Sequence, residues 1–156
     1  MANTLNHEMW LKISKDEFKF SAAHMSYMST QEKEALHGHN YYVTSSFCIS
    51  PKDNRTFIDF ARLKKIVKGL CQIWDEKILL PNVPNSTFID QNLGQVKVKT
   101  HGVDYSFPAS EVVVLQTQNI IIENLSVLFL DNLVRQLMEE KLFSPDNGPI
   151  FKIKVA

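Results

Sequence analysis

The sequence predicts an α+β fold in which two helices cover one face of an antiparallel four-stranded sheet, with an inserted hairpin. Stretches with alternating apolar residues open the chain, and a short one at residues 150–155 closes it. Residues 60–74 and 119–142 instead repeat apolar residues at helical spacing. Between them, residues 82–116 alternate short apolar runs with turn residues, which indicates the insertion. Helices and strands distributed in this way are typical of an α+β layer.

The elements before the first helix follow from local pattern. Trp10, Phe18 and Phe20 anchor the first strand, and the alternation breaks at residues 14–16. Aromatic and β-branched residues favour extended backbone in the second strand. In order, we predict a strand at 9–23, a loop at 25–35, a strand at 38–50, a turn at 51–54 and an extended segment at 56–58.

The later elements are two helices and several short strands. Asp59 and Asn119 are the predicted helix caps, because a short polar side chain can accept a hydrogen bond from a free N–H of the first turn. The buried candidates of the second helix are Leu125, Phe129, Val134 and Leu137. In order, we predict a helix at 60–74, short strands at 88–90, 96–99 and 105–108, an extended segment at 111–115, a helix at 119–142 and a strand at 150–155.

The composition is that of a single domain without net charge. A chain of 156 residues can bury one core, so we predict one domain over residues 1–156. Its 17 basic and 17 acidic residues cancel, which gives no net attraction to nucleic acid or membrane. Cys48 and Cys71 do not make a disulfide framework. With no secretory signal in residues 1–17 and no apolar run of ~20 residues, we expect a soluble cytoplasmic protein.

Three histidines are candidate metal ligands. His37 and His39 are separated by one residue at the start of a strand, so both point to the same face. His24 ends the first strand, from where it could join them if the two strands pair. A catalytic zinc usually takes three protein ligands and keeps a fourth position open. Because histidines at this spacing also occur in packing and hydrogen-bonding roles, spacing alone leaves both interpretations open.

The residues around these histidines resemble the 6-pyruvoyl-tetrahydropterin synthase family, which also contains the 6-carboxytetrahydropterin synthases of deazapurine biosynthesis. The resemblance rests on Phe-Ser-Ala-Ala-His at residues 20–24, Leu-His-Gly-His-Asn-Tyr at 36–41 and Ile-Asp-Phe at 58–60. It covers most of the chain apart from the insertion. In the family the corresponding histidines bind zinc, a role that the resemblance gives here to His24, His37 and His39.

The resemblance implies the tunnelling fold, or T-fold. In this family the subunits join sheet to sheet into a barrel, commonly as a homohexamer built from two trimers, with active sites at subunit interfaces. We therefore expect a homo-oligomer, which would also cover exposed sheet edges. The expected ligand is a small-molecule pterin, with no nucleic acid and no membrane as partners.

Glu123-Asn124 resembles the Thr-x-Glu-Asn segment of the family, in which the glutamate accepts hydrogen bonds from the pterin amino group and ring N–H. A carboxylate suits this donor pair, because both of its oxygens accept in one plane. Alternatively, Glu123 only complements the dipole of the second helix. The family threonine is Ile121 here, which removes one polar contact.

The chain departs from the family at its proton-transfer residues. Members of the 6-pyruvoyl and 6-carboxy types have a cysteine shortly before the paired histidines, and this cysteine acts as the proton-abstracting base. Residues 31–35 contain no cysteine. Cys48 falls on the opposite strand face, and Cys71 lies on the apolar face of the first helix. The family's Asp-His pair appears as Asp75-Glu76, which keeps the aspartate alone. We expect no counterpart of the family's late glutamate, although one just beyond the last residue would restore that relay.

This joint departure leaves two interpretations. One is a non-catalytic, zinc-containing pterin-binding protein. The other is a subgroup, known from malaria parasites and some bacteria, in which a glutamate before Leu-His-Gly-His replaces the cysteine. Glu34 with Ala-Leu-His-Gly-His resembles that subgroup, as do residues 78–81 and 105–108. Its members convert 7,8-dihydroneopterin triphosphate into 6-hydroxymethyl-7,8-dihydropterin for folate synthesis, which we favour over the 6-pyruvoyl or 6-carboxy product.

The resemblance also implies how the residues would act. Zinc would bind the side-chain hydroxyls of the substrate as a Lewis acid. Glu34 would then be the general base at a hydroxyl or carbon, unless it is an ordinary exposed carboxylate. Asp75 and Glu76 are the candidates for a hydrogen bond to a ligand histidine or for proton return.

Overall fold

A computed structural model of the chain describes residues 9–49, 59–83, 87–92, 94–143 and 150–156. Within these residues the chain forms strands, two α-helices and a short 3-10 helix at Ala109–Glu111. The elements are β1 (Met9–His24), β2 (His37–Ile49), α1 (Phe60–Trp74), β3 (Lys77–Pro81), β4 (Thr87–Asn92), β5 (Gln95–Thr100), β6 (Val103–Pro108), β7 (Val112–Leu115), α2 (Ile122–Glu139) and β8 (Ile150–Val155). The predictions at 51–58 and 144–149 lie outside the described residues.

The α+β class is confirmed, but the main sheet is larger and of mixed direction. Its five strands lie in the order β7-β3-β1-β2-β8. β3 pairs in parallel with β1, and β7 pairs in parallel with β3, whereas β2 and β8 are antiparallel. The prediction of four antiparallel strands is therefore wrong in these details. Parallel neighbours need a long connection, and here β2 together with α1 separates β1 from β3, while the insertion separates β3 from β7.

The insertion is a separate antiparallel sheet of three strands in the order β4-β5-β6, which correspond to the three short strands predicted for the inserted hairpin. His101 and Gly102 form the β5–β6 turn with φ of 50° and 74°. This left-handed backbone is easy for glycine and tolerable for histidine in a tight turn. In β5, Val96, Val98 and Thr100 are buried while the residues between them are exposed, so one face of this sheet is covered.

The chain divides into two compact units. The first comprises Met1–Lys19, Tyr42–Gln72 and Ser126–Ala156. Both helices contribute apolar residues to it at helical spacing, and Leu133 is buried in α2 where Val134 was predicted. The fully buried residues of this unit include Phe18, Phe47, Leu63, Val67, Leu133, Leu137 and Ile150.

Two local predictions in the first unit are confirmed. The buried positions of β1 shift from Ile13 to Phe18, which marks the predicted break in alternation between them. Asp59 caps α1, because its Oδ1 accepts a hydrogen bond from the Arg62 N–H at 3.0 Å. Cys71 is buried in α1. Among the described residues, neither helix is long and apolar enough to cross a membrane.

The second unit comprises Phe20–Tyr41 and Ile73–Leu125, and it contains all of the predicted site residues. Its core lies between the loop after β1, strand β3 and the inserted sheet. The buried residues of this cluster are Met25, Leu80, Val96 and Val98, with Tyr27, Ile78, Tyr105, Phe107 and Val112 packed against them. The inserted sheet is therefore built into this unit through its apolar face.

Helix α2 begins at Ile122, three residues after the predicted cap Asn119. The Asn119 side chain is engaged elsewhere: its Oδ1 accepts from the Tyr27 N–H at 2.8 Å, and its Nδ2 donates to the Tyr27 carbonyl at 2.9 Å. The cap prediction is therefore wrong. Asn119 instead holds the segment before α2 against the loop after β1, because both groups of its amide are used by one backbone.

Candidate metal centre

Three imidazole rings meet where β1 ends and β2 begins. His24 is the last residue of β1 and is 4% exposed, while His37 and His39 open β2 on one strand face. Ring centroids lie 4.6 Å apart for His24 and His37, 5.3 Å for His24 and His39, and 4.8 Å for His37 and His39. One nitrogen from each ring lies within 4.8 Å of the other two. This spacing could hold one metal ion.

The Nε2 atoms of His37 and His39 are only 3.0 Å apart. The other nitrogen of His37 fixes its protonation, because Nδ1 lies 2.8 Å from the Ala35 carbonyl and must donate to it. In the neutral ring, His37 Nε2 is then an acceptor with a lone pair directed at His39. Such a pair of nitrogens is stable when a proton or a cation lies between them.

His24 is buried, and its Nδ1 also has a nearby oxygen to donate to, which leaves its Nε2 as the possible ligand atom. The Ser26 hydroxyl donates to the Ile120 carbonyl at 3.1 Å, so its oxygen is left to accept from the His24 Nδ1–H at 3.4 Å. The remaining nitrogen, Nε2, is buried and has no hydrogen-bond partner among the described residues. A buried polar atom without a partner is costly, and a cation would satisfy it.

The electrostatic setting of His24 favours the form that binds metals. Burial lowers the pKa of His24 below its ordinary value, and proximity to His37 and His39 lowers it further. A neutral imidazole is the ligand form, and protonation competes with metal binding. Three imidazoles on one side of a site fit zinc and other borderline divalent cations.

Glu34 stands beside the histidines in the loop between β1 and β2. Its Oε2 lies 3.8 Å from His37 Nε2, and its side chain is 45% exposed. Its backbone N–H donates to the Ser26 carbonyl at 2.9 Å. The carboxylate is thus near the candidate ligand atoms and accessible from solvent.

Asp75 and Glu76 occupy the turn between α1 and β3. Asp75 Oδ1 accepts from the Ser21 N–H at 2.8 Å, and the Glu76 N–H donates to the Ser21 carbonyl at 2.7 Å. These contacts join the turn to the backbone of β1. Glu76 also lines an open cleft of about 340 Å³ with His39 and Glu111. No contact of Asp75 or Glu76 with a histidine ring is seen in the described part of the chain, so their catalytic role stays a prediction.

Glu123 lies in the first turn of α2 and is exposed. Sequence reasoning did not place Ser26 in the site, and it predicted Asn119 only as a helix cap. Ser26 contacts His24, and Asn119 holds the loop after β1. Ser26 follows His24 by two residues, a spacing that hints at contact. Its second partner, Ile120, is 94 residues away, and no local pattern reveals that bond.

Comparison with known proteins gives one family and a set of related structures. The family model described as 6-pyruvoyl tetrahydropterin synthase matches residues 12–146. A protein of Methanocaldococcus jannaschii, provisionally named 6-carboxy-5,6,7,8-tetrahydropterin synthase, is 28% identical over 120 residues, which are 76% of this chain and 73% of that protein.

Among solved structures, 6-pyruvoyl tetrahydropterin synthase of Plasmodium falciparum superposes with a TM-score of 0.80 at 24% identity, over 96% of this chain and 90% of that chain. The Plasmodium vivax protein superposes with a TM-score of 0.77 at 25% identity, over 85% and 81% of the two chains. Two further P. vivax structures carry alanine or cysteine in place of a glutamate described as a catalytic residue. The fold is thus that of the T-fold synthases.

Proposed function

Since the chain belongs to the 6-pyruvoyl tetrahydropterin synthase family, we propose that it is a zinc-dependent lyase that acts on 7,8-dihydroneopterin triphosphate. The proposed reaction cleaves the side chain and yields 6-hydroxymethyl-7,8-dihydropterin for folate synthesis. The observation that carries this proposal is a carboxylate, Glu34, 3.8 Å from a ring of the histidine group. Both cysteines of the chain, Cys48 and Cys71, are buried.

His24, His37 and His39 would hold the zinc. The donor set fits, because Nδ1 of His37 and of His24 each has an oxygen to donate to, which leaves Nε2 of the neutral ring able to bind a cation, and the buried His24 Nε2 needs a partner. When bound, the metal would supply Lewis-acid polarisation of the substrate's side-chain hydroxyls. The open side of the group, where Glu34 lies, leaves room for those hydroxyls.

Glu34 would act as the general base. Its carboxylate takes the proton of the side-chain hydroxyl farther from the ring, a carbonyl forms at that carbon, and the bond to the ring-proximal carbon breaks. The electron pair of that bond passes into the dihydropterin ring, and a proton returns to the ring-proximal carbon to give the hydroxymethyl group. Asp75 and Glu76 are the proposed source of this returning proton.

Relatives support parts of this proposal. In the P. vivax protein a glutamate is described as catalytic, and one structure carries cysteine in its place. Cysteine is the residue that the family resemblance gives as the base of the 6-pyruvoyl and 6-carboxy types.

The chain would assemble as a homohexamer of two trimers, in which neighbouring subunits cover the outermost strands of the sheet, β7 and β8.

A second candidate is favoured by the M. jannaschii relative, whose provisional name gives a 6-carboxy product. The test is incubation of the purified protein with 7,8-dihydroneopterin triphosphate, followed by chromatographic and mass-spectrometric identification of the pterin. We expect 6-hydroxymethyl-7,8-dihydropterin. A 6-pyruvoyl or 6-carboxy product would assign the other family reactions. Absence of turnover with zinc bound would assign a non-catalytic pterin-binding protein.

We expect Glu123→Gln to weaken pterin binding by roughly ten- to a hundred-fold, because the amide turns one acceptor into a donor that faces the ring N–H or amino group. Calorimetry with a pterin ligand measures the change. Glu139→Gln is the matched control, since Glu139 is an exposed glutamate in the last turn of the same helix. Equal affinity of the Glu123 variant and the wild type would reduce Glu123 to a helix-dipole role.

A further inference from the structure

The loop that carries Glu34 is a closed hairpin. Tyr27 and Lys33 pair as an antiparallel bridge across it. At its tip, the N–H groups of Met28 and Ser29 both donate to the Glu32 carbonyl, at 2.9 and 3.0 Å. The backbone of the loop is therefore ordered by its own hydrogen bonds. It also has two sets of contacts with the inserted sheet.

The first set is at the tip of the hairpin. His101, in the β5–β6 turn, donates from Nε2 to the Ser29 carbonyl at 3.0 Å. Its Nδ1 accepts from the Thr100 hydroxyl at 2.8 Å, which fixes the tautomer that this bond requires. The His101 ring also packs on Tyr27, with centroids 4.8 Å apart. The β5–β6 turn of the insertion thus contacts the tip of the loop through one hydrogen bond and one ring contact.

The second set reaches the backbone of Glu34 itself. Lys33 Nζ donates to the Tyr105 hydroxyl at 2.8 Å and to the Glu34 carbonyl at 3.1 Å. Lys33 and Tyr105 are 72 residues apart, and both are partly buried. On its other side, the Glu34 N–H donates to the Ser26 carbonyl, and Ser26 also contacts His24. The main chain of Glu34 is therefore held from the histidine side and from the insertion side.

From these contacts we infer that the inserted sheet positions the catalytic base, with Tyr105 acting through Lys33 as a positioning residue. This inference rests on the proposed function, because it takes Glu34 to be the base. An exposed carboxylate on an untethered loop would sample many orientations, and a displacement of about 1 Å from the reacting atoms can cost a hundred-fold in rate. Clamping the Glu34 backbone limits that displacement.

The test uses Tyr105→Phe, which keeps the ring in its apolar cluster and removes only the hydroxyl. We expect kcat to fall roughly three- to ten-fold, since the His101 and Ser26 anchors remain, while KM, zinc content and melting temperature stay at wild-type values. Ser106→Ala is the matched control, because it removes a hydroxyl from the next residue of β6, where it bonds Gln95 instead of the loop. This control should keep wild-type kcat.

Lys33 variants separate positioning from substrate binding. Lys33→Met should lower kcat by a similar factor. The Tyr105→Phe/Lys33→Met double variant should have the same kcat as the less active of the two single variants, because both changes break the same connection from Tyr105 to Glu34. Lys33→Arg, which keeps a cationic donor, should restore most of the rate. A raised KM in Lys33→Met, with full activity in Tyr105→Phe, would make Lys33 a substrate contact and overturn the inference.

Amide hydrogen exchange of residues 25–36 gives a readout independent of turnover. Exchange should be faster in Tyr105→Phe than in the wild type and in Ser106→Ala, since one tether of the loop is lost. Unchanged exchange would overturn the inference. If exchange rises but the wild type makes no product, the loop attachment stands and the proposed function fails. If exchange rises and kcat is unchanged, the tether is structural and Tyr105 is not a positioning residue.

Discussion

Glu34→Gln is expected to retain zinc and the native fold while turnover falls by roughly 10²- to 10⁴-fold, the usual contribution of a general base. Glutamine matches glutamate in shape, so the loop contacts through the Glu34 backbone are unaffected. The amide cannot accept the proton that must leave the substrate hydroxyl. Steady-state kinetics with 7,8-dihydroneopterin triphosphate, together with metal analysis and circular dichroism of the same preparation, measure the three quantities.

Glu32→Gln provides the control for this experiment. Glu32 is an exposed glutamate two residues earlier in the same hairpin, and its carbonyl, not its carboxylate, makes the loop hydrogen bonds. Its replacement should leave turnover at the wild-type value. If Glu34→Gln also turns over at that value, the carboxylate is an ordinary surface charge. The base would then have to be sought at Asp75 or Glu76.

His37→Ala and His39→Ala are each expected to abolish stoichiometric zinc. The wild type should contain about one zinc per subunit, because the three rings form one donor set. Changes to groups that merely orient a ligand already weaken metal binding about 10- to 100-fold, so removal of a ligand itself should weaken it by more than ~10²-fold. Metal analysis after gel filtration measures occupancy.

His101→Ala is the matched control for the zinc experiment. His101 is a histidine of the same unit, but its nitrogens bond Ser29 and Thr100 and it is not part of the group of three. Zinc content should be unchanged in this variant, and likewise after replacement of His7, which lies outside the motif. Full zinc occupancy in both His37→Ala and His39→Ala would refute the ligand assignment.

Much of the architecture could be predicted because the deciding interactions are local. Helix α1 at Phe60–Trp74 and strand β8 at Ile150–Val155 match their predicted bounds, since apolar spacing alone distinguishes helix from strand there. The common face of His37 and His39 follows from strand geometry. Pairing direction is different: the segment that forms β7 was predicted to be extended, but whether it runs parallel to β3 depends on the path of the chain between them.

The parts of the site that the sequence did not reveal all depend on distant partners. Asn119 has the residue type and place of a helix cap, yet its amide bonds a backbone 92 residues earlier. Tyr105 was noted as part of a motif in the insertion, and nothing in that motif indicates that its hydroxyl contacts Lys33. When a side chain has several possible hydrogen-bond partners, the tertiary fold decides which one it binds. A single sequence does not show which partner that is.

The Nε2 atom of His24 is buried and has no hydrogen-bond partner among the described residues, so a metal held there as proposed would link metal supply to the lifetime of the folded protein. A ligand that binds only the native state adds stability in proportion to the logarithm of its concentration, and a hundred-fold excess over Kd adds about 2.7 kcal/mol. Chelation would then lower the melting temperature as well as the activity. Metal-free chains would then unfold more often than metal-loaded ones, and proteases would cleave them faster.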